Sequence, residues 1–243
     1  MRHNFFLRSL SPSDALSIEP HLRSRTLALG EVLSEQGDPV SRIHFVESGI
    51  VSSVVPMSDG HSVEACMVGN EGFTGIEACY HPGKATTRLL VQAAGASRTI
   101  DAAIFRRLIH TSDTLYAAVA EYDWRLRAEV EQSAACNAVH HVEQRLAKWL
   151  LRCHDRHEND VMQLTQEFLA TMLGTQRTTV NQVARGMADD GLIRYSRGKV
   201  TVKSRAGLEL MACECYSSVK ATRDQRTVDS LVASAGRTGP KVA

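Results

Sequence analysis

The sequence predicts an α+β protein in three parts: a small N-terminal β-barrel, a long connecting helix, and a C-terminal helix-turn-helix unit closed by a hairpin. Three observations carry this prediction. Short alternating segments fill the first third, "TLALGEVLSEQGDPVSRIHFVESGIVSSVVPMSDGHSVEACMV", between turn signals at Gly30, Gly37, Gly49 and Gly60. From Ser112 to Cys136 the chain has neither Pro nor Gly and is rich in helix formers. The last third sets amphipathic helices before a basic hairpin. At 243 residues and 43% hydrophobic composition, the chain has apolar material for two small cores.

In the first part, "VSSVVPMSDGHSVEACMV" reads as a hairpin turning at Asp59-Gly60, and "TTRLLVQAAGASRTIDA" supplies further strands. With the glycine-rich connection "GNEGFTG" at 69–75, this barrel could hold a small ligand or be packed solid; the residues leave both open. Strand character ends near residue 101, where "AAIFRRLIH" forms a short helix, so residues 1–111 are assigned to the first domain.

Residues 112–138 form the connecting helix and hinge. Leu115, Val119, Tyr122, Leu126 and Val130 recur at intervals of three and four, opposite a face of Glu121, Asp123, Arg125, Arg127, Glu129 and Glu131. A helix between two domains with its own apolar seam predicts pairing with a second copy, a homodimer. The alternative is that the stripe packs on its own β domain.

Residues 139–216 form the C-terminal unit, and 217–243 lack a sustained apolar pattern and are expected to be a mobile tail. "VEQRLAKWLLRCHDRH" turns Val142, Leu146, Trp149, Leu150 and Cys153 to a core, and the polar "ENDVMQ" links it onward. Thr165 then caps a helix whose apolar side is Phe168, Leu169, Met172 and Leu173, and Gly174 ends it. Thr175 is expected to cap the next helix, making a helix-turn-helix. That second helix divides cleanly. Val180, Val183, Ala184 and Met187 fall on the core side; Arg177, Thr178, Asn181, Gln182 and Arg185 face solvent. Arg, Asn and Gln are the side chains that make bidentate contacts to guanine or adenine edges. Thr165, Thr175, Gln176 and Thr179 offer short donors suited to phosphate oxygens. Gly191 stops the helix, and "LIRYSRGKVTV" reads as a hairpin with Arg197 and Lys199 at its tip, a wing placed against a phosphate backbone. The expected partner is double-stranded DNA.

Charge distribution agrees. The whole chain carries a net charge of only +1, yet residues 175–205 hold seven basic residues against Asp189 and Asp190. No run of about 18 apolar residues offers a membrane span, and the first residues lack a signal-peptide core, so a cytoplasmic location is expected. The six cysteines are scattered, and the C-x-C at Cys213 and Cys215 has no matching pair or suitably spaced histidine in sequence. This predicts structural or free thiols and no metal site. No Ser/His/Asp, Walker-type or HExxH pattern suggests an enzyme.

With these motifs in place, the chain resembles the Crp/Fnr family of bacterial transcription regulators over residues 20–210. The resemblance is strongest in "VEQRLAKWLL", "LTQEFLATMLGTQRTTVNQVARGMADDGLI" and "RGKVTV". It implies that the barrel is a β-roll, the double-stranded β-helix of cyclic-nucleotide-binding domains, serving as a sensor that modulates DNA affinity. It also implies a dimer reading a pseudo-palindromic site through the major groove, with RNA polymerase as a further partner if the protein is an activator. By the same resemblance, Arg177 stands where many members place a base-contacting arginine, Thr178 where a glutamate is usual and Gln182 where an arginine is usual. The half-site is therefore expected to differ from the common one, with Asn181 and Gln182 favouring adenine.

The effector end departs further. Members that bind cyclic AMP pair a Gly-Glu with a later Arg-Ser or Arg-Thr. Here Gly75 is followed by Ile76, and the available residues are Gly75, Glu77, Thr87 and Arg88, with Leu89 after the arginine. A cyclic nucleotide is thus a candidate effector whose charge-pair motif is not kept. No cysteine precedes Cys66, which argues against the N-terminal iron–sulfur mode, and His21, His44, His61 and His81 read as surface or core residues rather than haem ligands. The competing function is a ligand-binding module, for a cyclic nucleotide or haem, acting through a protein partner; the basic wing argues against it.

Overall fold

The computed structural model describes residues 3–58, 61–156 and 160–223. Two short helices, α1 (Phe5–Arg8) and α2 (Pro12–Ile18), precede the strands β1 (Arg23–Leu27), β2 (Val32–Ser34), β3 (Arg42–Pro56), β4 (Ser62–Val68), β5 (Phe73–Thr74) and β6 (Arg88–Asp101). All their pairings are antiparallel, in the order β1-β6-β3-β4, with β2 on β6 and β5 on β3. The expected hairpin is present, pairing Pro56 with Ser62, while its turn at Asp59-Gly60 lies outside the described residues.

The two long strands must bend to wrap the sheet into a roll. The β3–β6 register shifts three times between Val46 and Val51, where Gly49 and Gly95 face one another across the ladder. A Cβ on Gly95 would collide with the Ser48 carbonyl, and one on Gly49, at φ +82°, with the Ala93 carbonyl. Only glycine permits this close backbone approach. Leu27, Val46, Val51, Val68 and Val91 pack together among the strands.

Helix α3 (Ala102–Thr111) leads into α4 (Asp113–Val139), which Ser112 caps by accepting from the Leu115 amide. The structure corrects the predicted dimer seam here. Leu115, Val119 and Tyr122 are buried within the chain's own aromatic core of Phe6, Phe45, Phe73 and Phe105, and Leu126 packs against its edge. The Tyr122 hydroxyl donates to the Phe73 carbonyl at 2.7 Å and accepts from its amide at 3.1 Å. Burial of a tyrosine ring with its hydroxyl satisfied in this way is a strong anchor, and it commits this face of α4 to its own β-roll. Val130 is half-buried.

The C-terminal unit comprises α5 (Val142–His154), β7 (Val161–Gln163), α6 (Gln166–Leu173), α7 (Arg177–Asp189), β8 (Ile193–Ser196), β9 (Lys199–Val202) and α8 (Arg205–Met211). The segment expected to be only a polar link contributes β7, which pairs with β9 and makes the wing three-stranded. A helix covers residues 215–223 and so includes 217–223, the start of the expected mobile tail. Tyr216 and Val219 are buried, and Asp155 accepts from Arg205 (2.7 Å), the Tyr216 hydroxyl (3.2 Å) and Arg223 (3.0 Å). The rest of the tail lies outside the described residues. One apolar cluster joins Ile50, Val54 and Met67 of the roll to Leu146, Trp149, Leu150, Leu169 and Val180 of the C-terminal unit, so the two share a core.

Candidate nucleic-acid interface

The interface is built from three backbone devices. Thr165 caps α6 by accepting from the Phe168 amide at 3.1 Å. Gly174 closes α6 in the left-handed conformation (φ 57°, ψ 45°), with the Gly174 and Thr175 amides returning to carbonyls of the last turn. Helix α7 then begins one residue later than expected. Gln176, not Thr175, holds the N-cap position and makes no side-chain cap bond, so the first amides of α7 remain available to an acceptor outside the helix.

Val180, Val183, Ala184 and Met187 are buried, as their spacing predicts. Gln176, Arg177, Thr178, Gln182 and Arg185 are exposed, while Thr175 and Thr179 are half-buried. Asn181 departs from expectation. It is half-buried, and its Oδ1 accepts from Gln166 Nε2 at 2.8 Å, so its acceptor is already engaged with α6.

The wing turns through Arg197 (φ 50°) and Gly198 (φ 72°), with Ser196 opposite Lys199. Two successive positive φ angles match the twist of a two-residue hairpin loop and push the Arg197 side chain out to solvent. The Tyr195 hydroxyl donates to the Leu164 carbonyl at 3.2 Å, pinning the wing to the start of α6. Thr165, Gln166, Arg177, Tyr195 and Gly198 line a recess between α6, α7 and the wing, and Arg194, Arg197 and Lys199 line the outer face of the hairpin. Arg177, Arg194, Arg197 and Lys199 thus line these two surfaces, with the exposed Glu167 as an acid at the rim of the recess.

A second basic array, which the apolar periodicity of α5 conceals, lies inside the molecule. Arg145, Lys148, Arg152 and Arg156 follow one another at intervals of three and four, and all are buried. Arg152 pairs with Glu129 of α4. Arg156 pairs with Glu71 at 2.6 Å and reaches Glu129 at 3.8 Å. Burial opposes ionisation of Glu71, but the Arg156 charge and hydrogen bond outweigh it and hold the carboxyl below its ordinary range. Glu64 on β4 accepts from the Trp149 indole at 2.9 Å and lies 2.8 Å from Ser52 Oγ; burial, against the pull of Arg152, leaves its carboxyl raised. The regular 3-4-4 spacing of four cations was the available signal. Reading it required knowing that acids from β4, the loop before β5, and α4 would meet it.

At the opposite end, the four candidate effector residues do not assemble a phosphate clamp. Arg88 donates to Glu35 at 2.7 Å, Glu77 accepts from Thr86 at 3.2 Å, and Thr87 Oγ1 lies 2.5 Å from Ser53 Oγ. Gly75 adopts φ +88° to open the 3-10 turn Ile76–Ala78, with its Cα facing the Arg42 carbonyl. A cavity of about 130 Å³ opens elsewhere, lined by Met67, Glu71, Tyr122, Leu126, Arg156 and Val219.

Comparison with known proteins places both halves. Residues 144–211 match the family model of the Crp-like helix-turn-helix domain, and residues 24–112 that of the cyclic nucleotide-binding domain. A relative described as cyclic AMP receptor protein, from Thermus thermophilus, is 24% identical over 216 residues, covering 87% of this chain and 98% of its own. Among solved structures, a Crp/Fnr-family transcriptional regulator of the same organism superposes with a TM-score of 0.65 at 24% identity, covering 78% of this chain and 98% of its own. The c-di-GMP-responsive global regulator of Xanthomonas campestris superposes with a TM-score of 0.64 at 18% identity, covering 80% of this chain and all of its own.

Proposed function

This chain is a DNA-binding transcription regulator of the Crp/Fnr family, and from that premise we propose that it works as a homodimer reading a pseudo-palindromic site through the major groove. The observation that carries the reading is the exposed basic half of α7 set beside the Arg197–Lys199 wing tip. Arg177 and Gln182 are the base readers, and Arg185 supports them. The α7 amides together with Thr165, Thr175, Gln176, Arg197 and Lys199 hold phosphate oxygens and fix the register. Asn181, held by Gln166, orients the reading surface, so the adenine preference falls to Gln182. With Thr178 and Gln182 in place of the family's usual glutamate and arginine, the half-site departs from the common one.

The dimer interface is the other face of α4. Tyr116, Ala120, Trp124, Arg127, Glu131, Ala134 and Ala138 share one side of the helix, and Tyr116 and Trp124 are exposed at 48% and 55%. That face continues the connection between roll and reading head, where a second copy would bring two reading helices into symmetric register. The roll modulates DNA affinity, acting through the shared core. Because Arg88 is tied to Glu35, cyclic AMP is not the inferred trigger. The protein acts in the cytoplasm, without catalysis of its own, and contacts RNA polymerase where it activates.

Selection of binding sites from random DNA at fixed salt tests the reading. Arg177→Ala is expected to cost about 1–3 kcal/mol and relax preference at one position of each half-site, whereas Arg197→Ala weakens all sites alike and lowers the salt slope by about one. Unchanged retention of genomic fragments by Arg177→Ala would overturn the assignment of α7. Recovery of the common family half-site would overturn the predicted departure.

A further inference from the structure

The structure brings together four side chains that the sequence keeps far apart. Cys136 and His140 are one turn apart at the end of α4, and Cys213 and Cys215 follow α8. Their ligand atoms all lie within 4.8 Å of one another. Cys136 Sγ is 3.6 Å from Cys213 Sγ, and Cys215 Sγ is 3.6 Å from His140 Nδ1. The three thiols are buried among themselves as a separate cluster, and His140 is only partly exposed. Groups that look scattered in the sequence are thus adjacent in space, and a histidine about seventy residues upstream joins the Cys213–Cys215 pair.

We propose that Cys136, His140, Cys213 and Cys215 form a mononuclear tetrahedral zinc site that clamps the end of the α4 helix to the end of the winged helix-turn-helix unit. Bond lengths of about 2.3 Å to sulfur and 2.0–2.1 Å to nitrogen put tetrahedral ligands about 3.8 Å (S to S) and 3.6 Å (S to N) apart. The Cys136–Cys213 and Cys215–His140 separations are close to these values, and all the pairs lie within 4.8 Å. Three sulfurs and one imidazole in this geometry favour zinc over oxygen-seeking ions. A four-iron cluster would need the sulfurs spread around a cube, farther apart than they are.

The surroundings are those of a built site. His140 presents Nδ1 to the cluster while its Nε2 lies 3.2 Å from Glu214 Oε1, the carboxylate–histidine arrangement that fixes tautomer and ring orientation at zinc. Gln132 Nε2 donates to Cys215 Sγ at 3.0 Å. The buried Lys148 ammonium lies against the Cys136 thiol, and the buried Arg145 guanidinium lies near Cys136 and Cys213. Neither makes an ion pair with a carboxylate among the described residues. Zinc entering the site releases three thiol protons to solvent, and the resulting complex carries one net negative charge, which these two cations face. Glu214, 75% exposed, marks the side open to solvent.

The test uses the full chain, stripped of metal under reducing conditions and then titrated with zinc or cobalt. The expected result is about one equivalent bound per chain, with the thiolate-to-cobalt charge-transfer band and the strong visible absorption of a tetrahedral complex. Cys213→Ser, Cys215→Ser and His140→Asn should each lose the spectrum, and Glu214→Gln should weaken zinc binding about 10-fold or more. Circular dichroism before metal addition identifies any variant that has not folded, and for those the wild-type titration decides. Three outcomes overturn the proposal: no metal bound by the reduced, folded wild type; iron with inorganic sulfide instead of a single ion; or a Cys136–Cys213 disulfide, seen as a loss of two mass units, that persists under the reducing conditions of the titration.

Discussion

His44 sits on β3, 3% exposed, with Nδ1 unpartnered. Burial, reinforced by Arg25 and Arg42 and only partly offset by Glu31, depresses its pKa to about 4 from the ordinary 6.5. Neutral in the fold, it must find a proton on unfolding below pH 6.5, so the unfolded state binds more protons in that window. Stability is therefore full above the ordinary value and is lost as pH falls toward 4. The loss attributable to this residue is on the order of 3 kcal/mol. Chemical denaturation of wild type and His44→Gln across pH 4–7 should show curves that converge as the pH falls; a parallel dependence would mean that His44 protonates freely in the fold. The residue thus couples the stability of the roll to pH.

Among the elements, α4 shows how one helix serves two surfaces. Leu115, Val119 and Tyr122 are spent on the chain's own core, and the Tyr116–Trp124 face is left outside. Trp124→Glu should therefore shift the protein from dimer to monomer in sedimentation velocity, with its melting temperature changed little. An unaltered dimer would place the interface elsewhere. Val119→Ala should instead destabilise the roll by about 1–3 kcal/mol through the loss of buried volume. Periodicity revealed that α4 has an apolar stripe of three- and four-residue spacing, but a stripe specifies burial and not what does the burying. The aromatic partners Phe6, Phe45, Phe73 and Phe105 come from α1, β3, β5 and α3, and no local pattern announces that they converge.

For the molecule as a whole, the contact between roll and reading head is decided by α5. Nine consecutive residues of this helix, from Arg145 to Cys153, are buried, because one face meets the winged unit and the other meets β4 and α4. Ion pairs buried there are costly to break singly. Arg156→Met should destabilise the chain by about 3–5 kcal/mol by leaving Glu71 uncompensated, and Glu71→Gln added to it should recover a substantial part. Equal losses in the single and double variants would show that the pair is not coupled. The two units are thus joined by a packed contact as well as by the chain itself.

The sequence by itself determined what depends on neighbours a few residues apart. The Thr165 cap, the left-handed Gly174, the division of α7 into a buried and a basic half, and the Arg197-Gly198 turn all follow from local backbone preferences and helical periodicity. In this unit α7 begins one residue later than its spacing predicts, Asn181 is engaged by Gln166, and the link before α6 contributes β7. Tertiary structure alone decided which face of α4 is left free, that Arg145, Lys148, Arg152 and Arg156 point inward, and that Cys136, His140, Cys213 and Cys215 meet. The physical reason is the same in each case. Spacing along the chain fixes which side chains share a face, but what that face meets depends on segments tens of residues away, brought in by the bend of β3 and β6 and the docking of α5.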